Sequence, residues 1–158
     1  MYLNFKNKFC FLIIFFISIL ILLVAYYIEF ALNQKPCKLC IYQRLPYFIA
    51  IVVCMIGYFF ETKNIFLYLT ALTFFISFLL SGYHVGIENE IFKEYSGCTA
   101  GNLDLIKKEE ILNNLMITLP SCKDINFKLF GFSLATLNLV ISGIFVVFCL
   151  TSLKNEKN

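Results

Sequence analysis

The sequence predicts an all-α membrane protein, a four-transmembrane-helix bundle with one long external loop that contains a short amphipathic helix. Two observations carry this. Of 158 residues, 60% are hydrophobic and only 15% charged, against roughly 45–50% and about 25% in soluble domains. The apolar residues also gather into four uncharged stretches, 9–28, 45–60, 65–83 and 129–153. A hydrocarbon core about 30 Å thick needs roughly 20 helical residues, with a range of about 17–25.

The first stretch follows Lys6 and Lys8, as a secretory signal would. Its apolar run exceeds the roughly 7–15 residues of a signal core, and no small-residue cleavage pattern follows. It is therefore expected to stay as a helix. The second stretch is short, and extends backward through 40–44 if that turn sits at the membrane surface. The third and fourth are long enough to span directly. Ser77, Ser81, Ser142 and Gly143 suit close helix contacts in lipid. Helices are thus expected near 9–31, 41–60, 65–83 and 129–153, in one domain covering 1–158.

Three connectors join them: 33–44, 61–64 and 84–128. Four spans put both termini on one side and the first and third connectors on the other. Lysine and arginine counts argue against placing the termini in the cytoplasm. Lys6, Lys8, Lys63, Lys154 and Lys157 lie on the terminal side. Lys35, Lys38, Arg44, Lys93, Lys107, Lys108, Lys123 and Lys128 lie opposite. The long connector also holds seven acids, so charge leaves the orientation open. No basic tract suggests a nucleic-acid partner. Within the long connector, 104–116 places Leu105, Leu112, Leu115 and Met116 near one helical face, with Pro120 beyond its end. Two readings stay open: a helix in the interface plane, or a soluble helix packed on the loop.

Seven cysteines divide by location. Cys10, Cys54 and Cys149 fall in apolar helices, where free cysteine acts as a small hydrophobe. Cys37, Cys40, Cys98 and Cys122 fall in the two connectors on one side. Paired cysteines belong in an oxidising compartment, so this side is read as periplasmic and both termini as cytoplasmic. Cys37-Lys38-Leu39-Cys40 is a C-x-x-C, which by itself reads as a redox pair, half a zinc site or chance. Zinc needs two more ligands. Cys98 and Cys122 lack a second short spacing, and His84, the only histidine, is far from every cysteine in sequence. No metal is expected. A redox pair fits better, with Pro36 setting the entry and Cys40 near a helix start whose free N–H groups favour a thiolate. Arg44, one turn on, is expected to face Cys40 and lower its pKa further.

The run Pro36-Cys37-Lys38-Leu39-Cys40-Ile41-Tyr42-Gln43-Arg44 resembles the P-C-x-L-C-x-Y-[QE]-R signature of the disulfide bond formation protein B (DsbB) family. Tyr83-His84-Val85-Gly86-Ile87-Glu88 and Leu129-Phe130-Gly131-Phe132-Ser133-Leu134-Ala135 resemble further segments of that family, which often carries a connector tryptophan that this chain lacks. The resemblance covers nearly the whole chain. It implies a thiol:quinone oxidoreductase of the bacterial inner membrane, using ubiquinone or menaquinone and a periplasmic DsbA-like dithiol oxidase as partner. Cys98 and Cys122 match the pair that meets the partner, with Cys98 attacked first and Cys122 then attacking Cys37. Cys40 delivers the electrons, and Arg44 and His84 match the quinone head-group site. Competing readings are a bundle like vitamin K epoxide reductase, where the C-x-x-C falls late in the chain, a non-enzymatic membrane protein with two structural disulfides, and a metal carrier.

Overall fold

A computed structural model describes residues 2–59, 63–93, 121–123, 128–129 and 131–157. Cys98 and the expected amphipathic helix at 104–116 lie outside the described residues. Helix α1 covers Tyr2–Phe30, α2 Lys38–Tyr42, α3 Leu45–Phe59 and α4 Lys63–Glu88; a two-stranded pair, β1 Lys128–Leu129 and β2 Phe132–Ser133, precedes α5, Leu134–Lys157. Four spans among the described residues are long and apolar enough to cross a membrane, Lys8–Phe30, Lys38–Phe59, Asn64–Glu88 and Leu134–Lys154.

Local chemistry sets the ends that matter for the site. Ala31 N–H bonds to the Tyr27 carbonyl, and Asn33 takes a positive φ of 51° that turns the chain away from α1. Pro46 has no N–H to offer, so the ladder is interrupted between α2 and α3, and the Tyr47 and Phe48 N–H groups donate to the Arg44 carbonyl instead. Gln43 and Arg44 stand at this break. The third span runs past the expected 65–83: α4 has 26 residues, roughly 39 Å at 1.5 Å per residue, longer than a hydrocarbon core of about 30 Å, and its last turn carries His84 and Glu88. The fourth span starts later than expected. Lys128 pairs with Ser133 and Leu129 with Phe132, antiparallel around Gly131 at φ +86°, so Leu134 rather than Leu129 begins the helix.

The helices pack in chain order, α1 on α3, α3 on α4 and α4 on α5, while α1 and α5 meet over a much smaller area. Phe11, Ile14, Leu67, Phe74 and Phe145 fill the interior, with the Phe74 and Phe145 rings 4.6 Å apart. A polar seam runs through it: Ser142 Oγ donates to Ser77 Oγ at 3.0 Å, and the Tyr47 hydroxyl donates to Asn138 Oδ1. Such bonds fasten helices where lipid gives no apolar drive to association. Cys10, Cys54 and Cys149 are all buried in the bundle, as their apolar setting implied. Outward-facing Phe16, Leu20, Leu23 and Val147 stay exposed on the perimeter, as a lipid-facing surface requires.

Gly57 marks a close contact among α1, α3 and α4. A Cβ there would lie 2.8 Å from the Phe66 Cβ and 3.0 Å from the Phe11 ring. Gly57→Ala is expected to destabilise the bundle by about 1–3 kcal/mol, the usual cost of overpacking. A fall in the midpoint of thermal unfolding in detergent checks this; an unchanged midpoint would mean that the helices separate without strain.

Candidate redox site

Cys37 and Cys40 meet across the first turn of α2. Pro36 delivers Cys37 in an extended conformation (φ −71°, ψ 168°), and Cys37 becomes the N-cap. Its sulfur accepts the Cys40 backbone N–H at 3.3 Å, as a serine oxygen would at this position. The two sulfurs are 2.9 Å apart, and both thiols are free. His84 Nε2, from the last turn of α4, stands 3.6 Å from Cys37 Sγ.

The groups that favour a thiolate therefore converge on Cys37, and the expectation that they would act on Cys40 is corrected. The Cys40 thiol hydrogen bond is the largest influence, and with His84 it outweighs the opposing effect of burial, bringing the Cys37 pKa down to about 5. Cys37 is then a thiolate above about pH 5 and protonated below it. Thiolate absorbance of the reduced protein is expected to titrate with a midpoint of about 5. Cys40→Ala should raise that midpoint; the same midpoint in the variant would assign the effect to His84 alone.

Arg44 does not serve Cys40 as the four-residue spacing suggested. Its guanidinium forms an ion pair with Glu29 of α1 and lies over the Tyr26 ring, 4.9 Å from its centroid. α1 thus holds the cation at the α2–α3 break, and the spacing argument failed because α2 ends before one full turn joins the two residues.

His84 is buried at the centre of a hydrogen-bonded group. Gln43 Nε2 is 3.0 Å from His84 Nδ1, and Glu88 Oε1 is 3.8 Å from His84 Nε2. Ser133, just before α5, donates to Glu88 Oε2 at 2.5 Å. Sequence reasoning did not assign roles to Glu29, Gln43, Glu88 or Ser133. Gln43, Glu88 and Ser133 nonetheless stand inside the family-like segments, and Glu29 is an acid at the end of an apolar helix.

The long connector returns to this same place. Cys122 is disulfide-bonded and 1% exposed, and it packs with Cys37, Leu39 and Ile87. Its main chain lies within hydrogen-bonding reach of the His84 ring. Lys123 Nζ, 2.7 Å from Glu90 Oε1, ties the connector to the end of α4. Cys122, the reduced pair and His84 therefore occupy one cluster, and Cys98 falls outside the described residues.

Beside the sulfurs is a cavity of about 300 Å³. Cys40, Gln43, Arg44, His84, Glu88 and Asn138 form its polar end, and Leu20, Val24, Leu137 and Ile141 its apolar wall. It lies between α1 and α5, neighbouring helices that touch only sparsely. The Asn138 amide nitrogen is buried there without a hydrogen-bond partner.

A family model for the disulfide bond formation protein DsbB matches residues 7–152. The chain belongs to the DsbB family. A relative in Rickettsia prowazekii (strain Madrid E), the uncharacterized protein RP370, is 28% identical over 143 residues, covering 87% of this chain and 82% of its own. As a member of the DsbB family with four membrane-spanning helices, the chain is a multi-pass membrane thiol oxidoreductase of disulfide bond formation. The Cys37–Cys40 pair at the head of the second span and Cys122 in the long connector lie together in one packed cluster.

Proposed function

We propose that this protein reoxidises a periplasmic DsbA-like dithiol oxidase and passes the electrons to membrane quinone, from the bacterial inner membrane with both termini cytoplasmic. The observation that carries the reading is the packing of disulfide-bonded Cys122 against Cys37, beside a cavity lined by Cys40 and Arg44. A thiolate of the reduced partner attacks Cys98, breaking the connector disulfide and forming a mixed one. The freed Cys122 thiolate attacks Cys37 of the oxidised pair, and Cys40 leaves as thiolate. The partner's second thiolate attacks its own sulfur in the mixed disulfide, departing oxidised, and Cys98 then attacks Cys122, restoring the connector disulfide and leaving Cys37 and Cys40 reduced. Each exchange breaks one S–S bond and makes another, so one electron pair moves inward.

The cavity suits a quinone ring. Its volume lies at the small end of ligand sites, its wall is apolar, and its polar end presents Arg44, His84 and an unpartnered Asn138 donor. The weak α1–α5 contact leaves room for an isoprenoid tail toward lipid. Bound there, quinone would supply a two-electron, two-proton sink. A DsbA-like oxidase is already strongly oxidising, about −120 mV as established for that soluble protein, so its reoxidation needs a stronger acceptor. Arg44 would hold positive charge at the head group, and His84 and Glu88 would carry the protons released from the thiols.

Purified protein supplied with a reduced DsbA-like oxidase should reduce ubiquinone or menaquinone, one per dithiol. Absence of quinone reduction, with the connector cysteines staying oxidised throughout, would favour structural disulfides. A reporter active only in the periplasm, fused after Asn158, should stay silent; activity there would reverse the orientation.

A further inference from the structure

Cys37 Sγ, Cys40 Sγ and the His84 ring nitrogen all lie within 4.8 Å of one another. The distance in sequence that argued against His84 as a companion of the cysteines is closed by the fold. We propose that, in the dithiol state, these three side chains bind one Zn²⁺, which holds the redox pair reduced and withdraws it from thiol exchange.

The donor set is chemically complete enough for such an ion. Two thiolates and an imidazole make a Cys₂His site, with bonds of about 2.3 Å to sulfur and about 2.0–2.1 Å to nitrogen. Tetrahedral angles then separate sulfur from nitrogen by about 3.6 Å and sulfur from sulfur by about 3.8 Å. The Cys37–His84 separation is already 3.6 Å. The sulfurs, now at 2.9 Å, need to open by about 0.9 Å to reach that tetrahedral spacing, and Cys40 is only partly buried. Glu88 Oε1 lies 3.8 Å from His84 Nε2, outside the trio itself, and water can complete the four-coordinate shell. Gln43 touches the other ring nitrogen at 3.0 Å. That contact is made by the amide nitrogen; with the amide turned over, Oε1 would accept the Nδ1 proton of a ring bound through Nε2, the outer contact that metal-bound histidines ordinarily make.

Binding costs the two thiols their protons as two Zn–S bonds form. No electron moves, so a chelator alone reverses it. The oxidised pair has no thiolate to offer, which confines the site to the reduced state. The proposal stands on the geometry of the trio, and failure of the quinone assay would leave it intact.

Cobalt(II) serves as the spectroscopic probe. Full-length protein in detergent, carrying Cys98→Ser and Cys122→Ser to remove the other external thiols, would be reduced with a phosphine and titrated. One Co²⁺ per chain is expected, with a sulfur-to-cobalt charge-transfer band and intense tetrahedral visible absorption. Zn²⁺ should displace it, and oxidation of Cys37 and Cys40 should abolish it. Gln43→Leu should weaken binding about 10–100-fold, as loss of an outer-shell partner does, and His84→Ala by more. His84→Cys, which restores a ligand, should recover binding with a stronger charge-transfer band. Equal affinity in wild type, His84→Ala and Gln43→Leu would overturn the site, because the C-x-x-C alone would then be the chelator. A weak octahedral spectrum, or no cobalt bound, would overturn it as well.

Discussion

Cys122→Ser is expected to abolish catalytic oxidation of the soluble partner, a loss of at least about 10³-fold, while leaving Cys37 and Cys40 able to form their own disulfide. On the proposed route an essential nucleophile is removed, and such losses are large. Cys98 should then accumulate as a mixed disulfide with the partner, visible on non-reducing gels. Cys122 packs against Cys37 and Leu39, so on the proposed route it is the connector thiol placed to reach the pair. Cys10, Cys54 and Cys149 are buried within the bundle. Cys98→Ser should also stop partner oxidation, without the trapped species. If both variants oxidise the partner as the wild type does, the connector disulfide is structural and the exchange route through Cys122 is wrong.

Arg44→Ala should produce the second large effect, on the acceptor side alone. A charge-assisted hydrogen bond is worth about 1.5–3 kcal/mol, which is roughly a tenfold to hundredfold rise in the quinone KM. Formation of the mixed disulfide at Cys98 should continue at the wild-type rate. Arg44→Lys keeps the charge but loses the planar fork that reaches Glu29 and lies over Tyr26. A smaller rise in KM, of about tenfold or less, is expected. Glu29→Gln leaves the guanidinium in place without its ion-pair partner, so it tests positioning: KM should rise while the fold persists. Steady-state kinetics with quinone and partner varied separately resolve these cases. Wild-type quinone kinetics in Arg44→Ala would remove Arg44 from the acceptor site and leave it as a helix-break anchor.

The membrane spans were legible from sequence because crossing a bilayer is a local demand. About 20 consecutive apolar residues satisfy it whatever else the chain does. The C-x-x-C was legible for a related reason, since one turn of chain brings Cys37 and Cys40 together, and Pro36 prepares the N-cap. Local reasoning went wrong where a backbone break intervened. Pro46 interrupts the helix after Tyr42, so Arg44 turns to Glu29 instead of Cys40. Gly131 likewise delays the last helix to Leu134.

Pairing between helices was not legible. His84 meets Cys37 across 47 residues, and Ser133 meets Glu88 across 45. These contacts depend on how each helix is rotated about its axis. In a soluble bundle an apolar stripe would reveal that rotation. In lipid, the inward and outward faces are both apolar, and small or polar residues mark the contact only sparsely. The sequence by itself therefore determined that four stretches are long and apolar enough to cross the membrane, and which cysteines form the local pair. Only the tertiary structure decided that Cys37, rather than Cys40, collects the thiolate-stabilising contacts, and that Cys122 and His84 share its cluster, because only helix rotation and the return of the long connector bring those groups within reach.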